Sequence, residues 1–209
     1  MLKSHKAIVG SRYFYITYII LPAVFTLLGI IYRLLFHKVS FEFFLLVQSF
    51  VMLYEVSTEY FGYGPIYRKN NLGMEYLKTS VSGMELFRKS ILADLLLRAA
   101  RSMAYTLIPA AIVFNSTGDL LLLLISAFLL ADISVWSVTF TRYVTMYGFL
   151  MLVSAPLMAF GLITENLCTF FPVIKLPVLI AAVLLLPAGV LFSTKFADKK
   201  IKASYIDIR

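Results

Sequence analysis

Residues 13–36 read YFYITYIILPAVFTLLGIIYRLLF, an unbroken apolar run whose only charge is Arg33. At 1.5 Å of rise per residue it makes about 36 Å of helix, enough to cross a hydrocarbon core of roughly 30 Å. A helix that is apolar on every side belongs inside a membrane or a large core. The run therefore predicts a membrane span. Outward from it the same reading repeats at residues 41–66, 91–114, 119–140, 143–163 and 172–196. Six spans need about 120 apolar residues, which agrees with a chain of 209 residues that is 61% apolar and only 14% charged. Little chain is left for a soluble domain. The expectation is one all-α integral membrane domain over residues 1–209, with no internal repeat and no linker.

Nineteen Lys or Arg against eleven Asp or Glu give a net charge of +8. In a soluble protein that balance suggests nucleic acid; here it reads as cytoplasmic loops, and no nucleic acid is expected. With Arg98 and Arg101 set aside inside the third span, one side collects Lys3, Lys6, Arg12, Arg68, Lys69, Lys78, Arg88, Lys89, Arg142, Lys195, Lys199, Lys200, Lys202 and Arg209. The other side has Arg33, Lys38 and Lys175. Both termini and the loop at 67–90 are thus expected in the cytoplasm, and the Asn115-Ser116-Thr117-Gly118 turn outside. Residues 1–12 place Lys3, Lys6 and Arg12 around Leu2, Ala7, Ile8 and Val9, the pattern of an interfacial helix. They do not read as a signal peptide, because no small-residue cleavage site follows. One cysteine, Cys168, excludes an internal disulfide framework, and two histidines, His5 and His37, are too few for most metal chemistry.

The loop after the second span is the most informative stretch. Gly62-Tyr63-Gly64-Pro65 is expected to end that span, and Met74 to Ser80 to form one or two helical turns. Ser82 followed by Glu85 three residues later is a capping-box pattern, which predicts a new helix from Ser82 into the third span. A short helix and a capped turn suit the grip of a cytoplasmic partner; a solvated loop is the plainer reading.

Glu75-Tyr76-Leu77-Lys78-Thr79-Ser80-Val81-Ser82-Gly83-Met84-Glu85-Leu86-Phe87-Arg88-Lys89 resembles the segment after the second span in ABC-2-type exporter permeases. Glu75, Leu77, Thr79, Ser80, Val81, Ser82, Glu85 and Lys89 match the positions of the family's Glu, its Thr-Ser-Pro-Val-Ser-like hinge, and its later Glu and Lys. The hinge proline has no counterpart, as if one residue were deleted between Ser80 and Val81. The resemblance implies that residues 72–90 dock into a groove on an ATPase. Two ATPase subunits would carry ATP and Mg, and a second permease chain, identical or a sibling, would complete the path in a bacterial plasma membrane. Small permeases of this type export amphipathic peptides such as bacteriocins or phenol-soluble modulins, which makes a peptide or other hydrophobic cargo the implied one. The family's external re-entrant pair is reduced here to residues 163–172, expected as a short helical dip.

Ionisable residues inside a span cost on the order of 3 kcal/mol each and face a partner or water. Glu55 and Glu59, four apart, share a face of the second span with Gln48. Asp94, Arg98 and Arg101 share a face of the third. In antiparallel helices Glu59 is level with Arg98 and Glu55 with Arg101, which predicts a buried ion-pair ladder. A structural clasp is the first reading and substrate contact the second. Asp132, in the fourth span, is a further acid; Arg142, Ser134 or Thr139 are its expected partners, and with Gln48 it is a candidate for a translocation path. Pro22, Pro109, Pro156 and Pro187 lie inside spans, where they kink helices.

Enzyme classes fare poorly. There is no Gly-x-x-x-x-Gly-Lys-Ser/Thr loop, no His-Glu-x-x-His helix, no Gly-x-Ser-x-Gly elbow and no clustered aspartates for a metal. No cofactor is expected in this chain. The contending reading is a scaffold or a secondary transporter driven by protons through Glu55, Glu59 and Asp132.

Overall fold

A computed structural model describes residues 1–36, 41–58, 62–67, 72–112, 120–143 and 150–204. The described residues form helices without strands: α1 (Leu2–Val9), α2 (Ser11–Tyr15), α3 (Leu21–Phe36), α4 (Phe41–Thr58), α5 (Gly64–Tyr67), α6 (Leu72–Thr79), α7 (Val81–Ile112), α8 (Leu120–Tyr143), α9 (Leu150–Phe170) and α10 (Lys175–Ala203). Among them, four stretches are long and apolar enough to cross a membrane: Ser11–Phe36, Leu120–Arg142, Leu152–Phe170 and Pro172–Ala203. The chain is an all-α membrane protein. The other two expected spans fall on α4 and α7, which carry Glu42 and Glu55, and Asp94, Arg98 and Arg101, within their lengths.

Burial separates the central helices from the rim. Of the apolar window in α8, 67% is buried, against 11% in Ser11–Phe36 and 17% in each of the last two spans. α8 packs on α7, α9 and α10, and α7 packs in turn on α1 and α3. Phe44, Val51, Ile125, Leu129 and Ile133 belong to one apolar cluster, and Ile66, Phe87, Ile91, Leu95 and Val135 to another. The rim helices turn Leu27, Leu34, Phe160, Leu184 and Leu191 outward, as a lipid-facing surface requires.

Local chemistry explains the breaks. Gly10 has φ +84, a backbone that favours glycine, and there the chain turns from α1 into α2. Between α2 and α3 a π-helical turn spans Ile16–Ile20, with the Leu21 N–H reaching the Ile16 carbonyl five residues back. Pro22 explains it: its ring crowds the Tyr18 carbonyl and has no N–H to give it, so the helix widens just before the proline. α3 approaches α7 closely at Gly29, where a Cβ would lie 2.9 Å from the Pro109 ring.

The dip expected at residues 163–172 is absent. Residues 163–170 are the last turns of α9, which ends at Phe170, and Pro172 opens a 3₁₀ turn into α10. Residues 163–171 contain no Pro or Gly, and Thr164 and Thr169 bond back to the Phe160 and Glu165 carbonyls at 2.8 and 3.1 Å. The Asn115 to Gly118 turn lies outside the described residues.

The tightest backbone approach is at Gly83, where a Cβ would meet the Leu77 carbonyl oxygen at 1.9 Å. Gly83→Ala must therefore open the α6–α7 joint. Hydrogen exchange over Leu72–Thr79 is expected to accelerate at least tenfold in that variant while the centre of α7 keeps its protection; equal exchange in both chains would contradict this packing.

Candidate functional site

The α6–α7 joint is a one-residue elbow. α6 ends at Thr79 and α7 begins at Val81, leaving Ser80 between them. The Gly83 N–H donates to Ser80 Oγ at 3.0 Å, and that hydroxyl donates to the Leu77 carbonyl at 3.2 Å. The cap is thus Ser80, and not Ser82 as the capping-box pattern predicted. Since α7 has already begun at Val81, Glu85 lies beyond reach of a box and instead pairs with Lys89 at 2.5 Å. The hydrogen bond from Lys89, then its charge, holds the Glu85 carboxyl below the usual carboxylate range. Glu75 pairs with Lys78 at 3.2 Å, and Thr79 Oγ1 donates to the Glu75 carbonyl at 2.9 Å. Leu77, Thr79, Val81, Ser82, Glu85 and Lys89 are all exposed. Tyr76, 80% exposed, and Val81, 87% exposed, make the tip of the elbow apolar.

The second feature lies inside the bundle. Arg98 Nη1 is 2.6 Å from Glu55 Oε2, and Arg101 Nη2 donates to Glu55 Oε1. The structure brings Glu55 to both arginines rather than to Arg101 alone; Glu59, expected opposite Arg98, lies outside the described residues. Asp94 accepts from Arg98 Nε at 2.9 Å, from Arg142 Nη2 and from the Tyr18 hydroxyl. Glu55, Asp94, Arg98, Arg101 and Arg142 are all buried. One continuous polar network thereby joins the π turn, α4, α7 and α8.

The network also reaches α1. His5 Nε2 is 3.9 Å from Asp94 Oδ1, His5 Nδ1 and Tyr63 Oη share a hydrogen bond of 2.8 Å, and Tyr63 Oη and Ser90 Oγ share one of 2.9 Å. The Arg142 guanidinium lies over the Tyr63 ring, 4.0 Å from its centroid, in cation–π contact. Burial pushes the His5 imidazole down to about 4; Asp94 opposes the shift, while Arg98 and Arg142 reinforce it. His5 is therefore neutral at pH 7.

Gln48 is buried on α4 and accepts from Ser102 Oγ of α7 at 3.2 Å. Asp132 stands apart. Arg142 is taken by Asp94 and Thr139 donates to the Val135 carbonyl at 2.7 Å, so neither serves Asp132. Ser134 Oγ and both Asp132 carboxylate oxygens are buried without a hydrogen-bond partner. Among the described residues no group of three His, Cys, Asp or Glu is placed to hold a metal ion.

The residues that sequence reasoning missed are His5, Tyr18, Tyr63, Tyr76 and Arg142. Arg142 was expected among the cytoplasmic cations, because it closes an apolar run; its burial follows from the Asp94 partner across the α7–α8 interface. No sequence pattern marks His5 or Tyr18. No family model, curated protein or solved structure matches the chain.

Glu55→Gln removes the charge facing both Arg98 and Arg101 and is expected to cost about 3–5 kcal/mol of stability. The exchange Glu55→Arg with Arg101→Glu should recover part of what either reversal alone loses, read by thermal unfolding in mild detergent. A double exchange as unstable as the sum of the two reversals would contradict the pairing. For His5 the folded chain binds its proton only near pH 4, the unfolded chain near pH 6.5. Stability linked to His5 is thus fully present above about 6.5 and falls as pH drops toward 4. His5→Gln should flatten that part of the stability profile; an unchanged slope would contradict it.

Proposed function

We propose that the chain is the membrane permease subunit of an ATP-driven exporter, with the α6–α7 elbow as the docking point for a separate ATPase. The observation that carries this reading is the elbow itself: an exposed apolar tip at Tyr76 and Val81, fixed by Ser80 and Gly83 to a helix of 32 residues. A loose loop would absorb a push from below. A capped helix end with no room for a Cβ at Gly83 passes it into α7, and α7 carries the network to α8, α4, the π turn and α1.

In this reading α4 and α7 also cross the membrane, giving six spans, both termini and the elbow are cytoplasmic, and the charged network is a clasp rather than a cargo contact. Two copies, or this chain and a sibling, line the path in a bacterial plasma membrane. Two ATPase subunits supply ATP and Mg, and catalysis belongs to them. The resemblance of residues 75–89 to ABC-2-type permeases supports the coupling role, and the apolar, aromatic-rich spans suit an amphipathic peptide or other hydrophobic cargo.

Purification of the tagged chain from its native membrane is expected to bring an ATPase with it. Tyr76→Glu with Val81→Glu should lose at least nine tenths of that ATPase, because both side chains are exposed and their change leaves the packed bundle intact. A chain that purifies folded and without an ATPase would overturn the exporter reading.

A further inference from the structure

Among the described residues, Asp132 is an acid at mid-span that the network does not employ. It lies in α8, Leu120–Tyr143, twelve residues from the first and eleven from the last, which at 1.5 Å per residue is about 17 Å from either end. That is the middle of a bilayer. The side chain is 6% exposed, and neither carboxylate oxygen has a hydrogen-bond partner.

Helical spacing puts Asp132 on the face of α8 that Val135 and Trp136 turn toward α10. One turn along α8, Val135 and Trp136 meet Gly189, where a Cβ would lie 3.1 and 3.0 Å from them, and Trp136 Nε1 donates to the Leu185 carbonyl at 3.3 Å. Lys200 Nζ donates to the Arg142 carbonyl further on, so the two helices run parallel. A turn back from Trp136, which meets Gly189, Asp132 is level with about Leu185.

Among the described residues no charged group pairs with Asp132. Along α8 the nearest ionisable group is Arg142, ten residues or about 15 Å away and committed to Asp94. On α10, Lys175 and Lys195 are each ten residues from Leu185, about 15 Å along the helix. On α7, Asp94, Arg98 and Arg101 are held in the network, as is Glu55 on α4. The other charged groups on α9 and α4 are the carboxylates Glu165, a turn beyond the Gly161 that meets Ile133, and Glu42 in the first turn of α4.

An isolated carboxylate at that depth is costly, and the ordinary response of such a group is to keep its proton. We propose that Asp132 is a proton-binding site at mid-span, held as a neutral carboxylic acid at physiological pH and able to exchange its proton when the α8–α10 seam opens. This holds whether or not an ATPase docks at the elbow.

The test uses dicyclohexylcarbodiimide, an apolar reagent that reacts with protonated carboxyl groups inside membranes. The acid proton moves to a carbodiimide nitrogen, the carboxyl oxygen adds to the central carbon, and rearrangement leaves a stable N-acylurea with no leaving group. The full chain, in membrane vesicles at pH 6.5, is expected to carry the reagent at Asp132 by peptide mass analysis. Labelling should fall at least fivefold as the pH is raised to 10, disappear in Asp132→Asn and persist in Asp132→Glu. As an independent reading, Asp132→Asn mimics the neutral acid and should melt within 2–3 °C of the original chain. An Asp132 that stays unlabelled at pH 6.5 but labels once the chain is unfolded in acid would overturn the proposal. So would labelling that does not change with pH.

Discussion

The carboxylate of Asp94 is the constraint on which the rest of the bundle depends. It accepts from Tyr18 on the π turn, from Arg98 on its own helix and from Arg142 on α8, and His5 of α1 stands 3.9 Å away. Each donor comes from a different stretch of chain, and each guanidinium would be costly in this interior without an anion beside it. The arrangement therefore does more to fix which helices are neighbours, and in what register, than to add net stability. Apolar surfaces slide past one another at small cost, but a guanidinium displaced by one helical turn is a buried unpaired charge. Glu55 repeats the principle one level along α7, holding Arg98 and Arg101 and so fastening α4 to the same helix.

This explains why α7 is long, polar and yet central. Its buried stretch carries Asp94, Arg98 and Arg101, and its partners α1, α3, α8 and α10 surround it so that these groups meet other protein groups rather than lipid. The lipid-facing work falls to helices such as α9 and α10, whose windows are 17% buried. The widened turn before Pro22 serves the same end, since it brings the Tyr18 hydroxyl to Asp94 and sets the Thr17 carbonyl 3.5 Å from Arg101 Nη1. A displacement at Ser80 or Gly83 enters a helix that packs on α1, α3, α8 and α10, which supports the proposed coupling role.

The apolar runs made the membrane class and the helical order legible, because a span announces itself by length and composition. The face shared by Asp94, Arg98 and Arg101 was legible too, since three- and four-residue spacing is local geometry. Which helix would stand opposite was only half legible: Glu55 followed from depth, but Arg142 did not. A cation at the end of an apolar run looks like a loop anchor until a partner across the interface is known. Ser80 and Ser82 show a second limit. Both precede a helix by a plausible distance, and only the close approach of Leu77 to Gly83 decides that the cap is Ser80. The dip expected at residues 163–172 failed for the opposite reason, because residues 163–171 contain no Pro or Gly.

The measurement that tests this account most directly is hydrogen exchange across the whole chain in Asp94→Asn, compared with the original in the same membrane mimic. If one carboxylate sets the neighbours of α7, amides in α1, in the π turn at Ile16–Ile20 and in the C-terminal half of α8 should lose protection together, by tenfold or more. Loss confined to the turn of α7 around residue 94, with α1, the π turn and α8 unchanged, would contradict it.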